Sequence, residues 1–347
     1  MNKYFTILLI VFQIQKLNGE RSASSILHIL NGKRSSQTIL DTHLFGLSPF
    51  FGLYEKLSRK NFEQIIDFLI NQHYITEKDH PILTLEGENF LKKEWGKINL
   101  TTYLNGWKYH HVEESFLYRL QLMTQVLSHT SFSNRSYIPI IKDKKIHLQI
   151  KQLLHSVNKN EYANRFYKEL YQCSIVVEKE IDPSFVLITL SGYKKSGKTF
   201  LQAAQYFQME MDEYLFYFKS VLHGLLEEIT NNPTIYPILH SLVTIDRLTP
   251  ISQSTLQTEQ LLNQGYSLVE ISNQRNLKLS TIEDHLVELT MFRDDFRIEP
   301  YVSKVLYETI LLASEKLNTK KLKKIKEVVT DATYLQIRLT LAKGSVK

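Results

Sequence analysis

Residues 267–289, SLVEISNQRNLKLSTIEDHLVEL, constrain the fold of this 347-residue chain more than any other stretch, because they spell a helix, a tight turn and a second helix. Ser267 with Glu270, and Ser280 with Glu283, each form the Ser-x-x-Glu pattern in which a hydroxyl and a carboxylate satisfy the orphan donors of a new helix start. Two helices are therefore predicted, starting thirteen residues apart. Asn276 lies where the chain must reverse, and asparagine tolerates the left-handed conformation better than other non-glycine residues. Leu268, Ile271, Leu277, Ile282, Leu286 and Leu289 recur at spacings near one turn and give the pair a small core that fixes its angle. The prediction is a helix-turn-helix whose second helix, from Thr281 onward, is the element able to enter a major groove. That helix is expected to expose Glu283, Asp284 and Glu288 beside Thr281 and His285, with Arg275 and Lys278 as the only nearby cations. Such an acidic surface suits a protein-docking module better than a base reader.

The rest of the chain reads as mainly α. SASSILHILNGKRSSQTI predicts a helix ending near Gly32 and a new start at Ser35 or Ser36, and LSRKNFEQIIDFLINQHYI predicts another amphipathic helix. Tyr74 and Ile75, then Ile82, Leu83 and Leu85, flank a polar tip with Pro81, which predicts two short strands before a helix from about Glu86. Helices followed by such a β-hairpin make a winged helix, expected over residues 1–105. Residues 106–248 carry Phe, Tyr and Leu at three and four spacings with few glycines, so a helical middle domain is expected. LTPISQST breaks the pattern and opens a helix-turn-helix domain over 249–347, closed by a helix near 303–329 and another from Asp331 to Ala342. The apolar start around Phe5–Phe12 lacks a small-residue cleavage site and is far shorter than the ~20 residues that span a bilayer, so it reads as a buried first helix.

A content of 43% hydrophobic and 22% charged residues predicts a folded protein of two or three domains. Cys173 is the single cysteine, which excludes intramolecular disulfides, favours the cytoplasm and suggests a small buried apolar role. The net charge of +6 is spread evenly: residues 1–105, 106–248 and 249–347 each carry an excess of two. A dispersed excess makes no strong footprint for a polyanion, so tight sequence-independent DNA binding is not expected. EKLNTKKLKKIKE is the local exception, and its lysines read first as a solvated helix face.

Gly192–Thr199, GYKKSGKT, matches the phosphate-binding pattern G-x-x-x-x-G-K-[ST] and follows the strand-like FVLITLS. On that reading Lys198 would reach phosphates, Thr199 would hold magnesium and Asp246 of VTID would be the metal carboxylate, making a P-loop nucleotide hydrolase the alternative function. A nucleotide P-loop belongs to a parallel α/β sheet, which this helical pattern does not predict, so Ser196–Thr199 reads instead as a helix start before FLQAAQYFQ. Adjacent His110 and His111 cannot face one side of a helix, and His223 with Glu227 lacks a third ligand. No enzyme, no cofactor and no metal is expected. A helix-turn-helix transcriptional regulator is the other alternative.

From NGERSASSILHILNGKRSSQTILDTHLFGLSPFFG through YSLVEISNQRNLKLSTIEDHL to TYLQIRLTLA, the chain resembles the YpbB-type helicase helix-turn-helix proteins over nearly its whole length. Residues 255–342 are similar to the module found at the C-terminus of some RecQ-type DNA helicases. LNGKRSSQTI, LSRKNFEQIIDFLI and LTLEGENFL resemble the winged-helix domain that follows the RecQ helicase core. The resemblance implies a cytoplasmic, non-catalytic DNA-metabolism adaptor, in a DNA repair setting, whose partner is a RecQ-type DNA helicase and which touches DNA weakly, by structure rather than sequence. It implies no motor activity, since no DEAD-like box, Walker B pair or arginine-rich helicase motif occurs. Candidate nucleic-acid contacts are Lys33, Arg34, Arg275, Lys278, Thr281, His285, Lys320, Lys321, Lys323 and Lys324.

Overall fold

The structure, a computed structural model, describes residues 4–98, 102–134, 136–155, 157–246 and 250–344. The chain begins with α1 (Tyr4–Leu17), α2 (Ala23–Leu30), α3 (Ser36–Leu44), α4 (Arg59–Asn71) and α5 (Leu85–Trp95). Its middle forms α6 (Gly106–Tyr109), α7 (Glu113–Ser131), α8 (Lys144–Leu153) and α9 (Lys159–Glu178). Next come α10 (Ser184–Leu187), α11 (Phe200–Tyr206), α12 (Met211–Asn231) and α13 (Pro237–Val243). The last stretch supplies α14 (Gln253–Asn263), α15 (Leu268–Arg275), α16 (Leu279–Phe292), α17 (Lys304–Lys316), α18 (Leu322–Val328) and α19 (Tyr334–Gly344). The architecture is mainly helical, with a helix-turn-helix in its C-terminal part. Among the described residues no helix is long and apolar enough to cross a membrane.

The described residues form two compact units, each built from segments that are not neighbours in sequence. The first draws on residues 4–9, 49–55 and 92–246, and the second on 10–48, 56–91 and 250–344. Residues 1–105, expected as one winged-helix domain, thus contribute to both units.

In the first unit α12 packs against α7, α9, α10, α11 and α13, burying Tyr214, Phe216, Val221, Leu222, Leu225 and Leu226. The start of α1 docks on it: Phe5 lies 5.0 Å from the Phe216 ring, and Thr6 donates from both its backbone amide and its hydroxyl to the Asp212 carboxylate. Cys173 is fully buried and burial pushes its thiol pKa up, so it behaves as the apolar residue expected. FVLITLS, strand-like in composition, contains α10, in keeping with the helical middle section expected. A short apolar run does not distinguish strand from buried helix by periodicity, and here Tyr214, whose hydroxyl donates to the Phe185 carbonyl, holds the helical turn against α12.

The second unit gathers α3, α14, α15 and α19 around α16. Ser35 caps α3 as the sequence predicts, Ser58 caps α4, and Gly32 takes the positive φ that ends α2. The expected β-hairpin is reduced to one antiparallel bridge, Ile75 with Leu83. Its second arm has no room to lengthen: Pro81 has no amide to donate, and Thr84 already starts α5, its hydroxyl accepting from the Gly87 amide. The single helix expected near 303–329 is two, α17 and α18. Glu20 breaks it, because its carboxylate accepts from the Thr319 hydroxyl and the Lys320 amide while Asn318 turns at φ 44°.

Gly87 marks the closest approach in this region: a Cβ there would fall far inside contact distance of the Tyr74 carbonyl. Gly87→Ala should therefore force α5 away from the bridge and lower unfolding free energy by about 1–3 kcal/mol in urea titration. A variant as stable as the parent would show that α5 moves freely there.

Candidate nucleic-acid interface

The helix-turn-helix forms as its spacing requires, but it faces inward. Ser267 caps α15 through the reciprocal box with Glu270, and Asn276 adopts the left-handed conformation (φ 51°, ψ 44°). The Leu277 amide then donates to the Ser272 carbonyl and the Ser272 hydroxyl donates to the Leu277 carbonyl, so the turn closes in two residues. This tightness moves the start of α16 forward. Lys278 is its N-cap and Ser280 lies within the first turn, so the second Ser-x-x-Glu pattern is not the cap that the sequence predicts.

The acidic face expected in solvent is also corrected. Glu288 is 6% exposed and His285 is 7% exposed. The Glu288 carboxylate accepts from the Ser252 amide at 2.9 Å and from the Thr255 hydroxyl, and the Arg34 guanidinium lies 3.5 Å away. Asp284 accepts from the Ser36 hydroxyl and from Arg338, both at 2.5 Å. α16 is the centre of its unit rather than a reading head.

Of the candidate contacts, Arg275 is turned inward, donating to the Ser254 carbonyl and hydroxyl, the Gln257 side chain and the Thr258 hydroxyl. Burial lowers its pKa. Thr258 in turn meets His285 Nδ1 at 2.8 Å. With Arg275 already donating to that hydroxyl, the hydroxyl proton is free to point at Nδ1, an arrangement that suits a neutral His285. Burial first and then the Arg275 charge hold its pKa below the usual value.

Arg34 donates to the Pro250 carbonyl beside Glu288. Lys320 donates to the Leu44 carbonyl with its ammonium 5.0 Å from the centre of the Phe45 ring, and burial lowers its pKa. Lys321 donates to the Gly19 carbonyl and Thr281 is half-buried at the start of α16. Lys33, Lys278, Lys323 and Lys324 are exposed and form no ion pair among the described residues. These four do not share one element: they lie after α2, before α16 and on α18.

The GYKKSGKT loop belongs to the first unit and is no phosphate cradle. Most of its amides already have acceptors: Gly192 with the Lys195 carbonyl, Tyr193 with the Ser128 hydroxyl, Gly197 with Ser191, Lys198 with the Ile188 carbonyl and Thr199 with Gln202. Thr199 caps α11 in a reciprocal box with Gln202, as the helix-start reading predicts. The two glycines have a packing reason, since a Cβ would strike Ser128 at Gly192 and the Thr189 carbonyl at Gly197. Asp246, cast as a metal carboxylate, instead pairs with the buried Arg119 at 2.6 Å and accepts from Ser115.

The histidines set aside on spacing meet in the same unit. His223 Nε2 lies 2.6 Å from Glu113, while its Nδ1 accepts the Asn105 amide at 3.1 Å, so the ring is neutral and donates from Nε2. Burial keeps the His223 pKa below its usual value. Burial also opposes the charge of Glu113, but His110, His223 and Lys219 outweigh it and hold the carboxyl well below the usual range. Glu55, His110 and Glu113 bring ligand atoms within 4.8 Å of one another. The Lys219 ammonium lies among them, 2.5 Å from Glu113 and 3.8 Å from Glu55, and supplies the positive charge a metal would bring.

One basic stretch escaped the sequence reading because charge was averaged over long segments. Residues 142–159 hold Lys142, Lys144, Lys145, Lys151 and Lys159 against Asp143 alone, a run that a shorter window detects.

The neutral His285 has a pH signature. Its folded pKa is depressed, so its contribution to stability is complete above the unfolded value of 6.5 and is lost as pH falls below it. In His285→Gln, whose amide still accepts from Thr258, unfolding free energy should fall less steeply below that pH, by at most about 1.4 kcal/mol per pH unit. Identical slopes in urea titrations across that window would refute the neutral assignment. Comparison with known proteins bears on the same unit: a family model described as a helix-turn-helix domain matches residues 254–341. No solved structure matches the chain. Protein YpbB of Bacillus subtilis (strain 168) is 32% identical over 336 residues, covering 94% of each chain. At that identity and coverage, this chain belongs to the YpbB family of helix-turn-helix proteins.

Proposed function

We propose that this protein is a non-catalytic, cytoplasmic adaptor in DNA metabolism that docks onto a RecQ-type DNA helicase through its helix-turn-helix unit and adds weak DNA contacts of its own. The observation that carries the reading is the enclosure of α16, whose polar side chains Asp284, His285 and Glu288 all have partners inside the unit. A helix so engaged spends most of the hydrogen-bonding capacity of that set inside the unit, whereas a sequence reader must offer it to base edges. What such a unit offers is its outer surface. Exposed Val269 and Tyr266 near α15, and Val305 and Leu312 on α17, are apolar side chains of the kind that dock a protein partner. The choice of partner rests on the resemblance of residues 255–342 to a helicase-borne module.

Tagged protein recovered from its native cell after nuclease digestion should bring down a RecQ-type helicase, and unwinding by that helicase should change when the purified chain is added. Absence of both effects would end the proposal. For the DNA contacts, Lys323→Glu with Lys324→Glu should lower the slope of log affinity against log salt on duplex DNA by about 0.9 for each phosphate that these lysines neutralise. An unchanged slope would remove α18 from the interface.

A further inference from the structure

A lysine-rimmed groove in the first unit, continuous with a stack of aromatic rings, offers what the enclosed helix-turn-helix does not. The cavity has a volume of about 730 Å3, within the range of sites that take small ligands. Its apolar lining comes from Leu122 and Val126 of α7 and from Leu148, Ile150 and Leu154 of the α8 segment. Lys142, Lys144, Lys151 and Lys159 stand at its rim, all exposed, none in an ion pair among the described residues, and no carboxylate lines the cavity.

The far wall is an extended strap over residues 136–143. Buried Gln125 pins it to α7, donating to the Ile138 carbonyl at 3.1 Å and accepting from the Ile140 amide at 3.0 Å. This clamp places Tyr137 both in the cavity wall and in the ring stack, 4.1 Å from His129 at 25°. His129 meets Tyr193 edge-on at 5.8 Å, and Tyr193 stacks on Phe132 at 4.6 Å and 22°. Phe132 is 63% exposed, and the Lys194 ammonium lies 5.3 Å from the Tyr193 ring centre. The GYKKSGKT loop thereby acquires a role: its Ser128 tether holds Tyr193 and Lys194 at the edge of this surface.

We propose that the lysine-rimmed groove and the ring stack from Tyr137 to Phe132 form a binding path for single-stranded nucleic acid. Lysines would meet the backbone phosphates, and the unpaired bases would enter the apolar groove or lie on the exposed ring of Phe132. Unpaired cations beside aromatic faces are the combination such ligands use, since every base has a π-face and every linkage a charge. An acidic peptide would satisfy the lysines and leave the ring stack without a role. The proposal stands apart from the helicase reading, because nuclease-treated recovery of a helicase does not depend on this surface.

The test is fluorescence anisotropy of the full chain with a labelled oligothymidylate, a duplex of equal length and an acidic leucine-glutamate peptide. The oligothymidylate should bind, and the duplex and the peptide should compete poorly. Lys142→Glu with Lys151→Glu, both at exposed positions, should weaken binding at least tenfold and lower the salt slope by about 1.4. Phe132→Ala should weaken it roughly five- to hundredfold. Unchanged circular dichroism melting establishes that these variants fold. No oligothymidylate binding, binding indifferent to the three substitutions, equal affinity for duplex, or preference for the peptide would each overturn the proposal.

Discussion

Glu288 is the side chain on which the helix-turn-helix unit turns. A carboxylate at 6% exposure survives only if it is fully partnered, and its partners come from separate parts of the chain: Arg34 before α3, and Ser252 and Thr255 at the start of α14. It completes the N-terminus of α14 from a distance, as a residue of the same helix does in an ordinary capping box. Removing one partner of such a buried charge typically costs about 3–5 kcal/mol. Asp284 adds a second tie, from Ser36 of α3 to Arg338 of α19. These contacts set what the unit can do, because they turn the polar face of α16 to internal use.

That enclosure separates a motif from the activity usually read from it. The two-helix geometry is present down to the left-handed Asn276, yet four of the ten candidate contacts are committed to carbonyls within the unit: Arg34, Arg275, Lys320 and Lys321. In the first unit the same lesson appears in reverse. GYKKSGKT has the composition of a phosphate loop, and its glycines answer to Ser128 and the Thr189 carbonyl instead. Fold and motif limit the chemistry, and the partners of individual atoms decide it.

Most local signals were legible, Ser280 excepted, where the two-residue turn moved the start of α16 forward to Lys278. Ser35, Ser267 and Thr199 cap helices where a start was predicted, since a cap needs only the next three residues. The buried first helix and the helical middle were equally plain from apolar periodicity. What failed was set from afar. No window around Lys320 could reveal that Glu20, some 300 positions earlier, would break a continuous helix there. Nor could the spacing of α16 reveal that its carboxylates had waiting donors on α3, α14 and α19. The ring stack was hidden likewise, because Phe132, Tyr137 and Tyr193 meet only once α7 and the loop after α10 are side by side.

The interleaving of the two units carries a consequence for biosynthesis. Ribosomes release α3 early, yet two of the helices it packs against, α16 and α19, emerge more than two hundred residues later. During that interval Ile39, Leu40 and Leu44, all buried in the finished protein, lack part of their cover. The nascent chain must hold this apolar segment in a provisional state while the intervening unit condenses, which makes its early life the stage at which chaperones have most to protect.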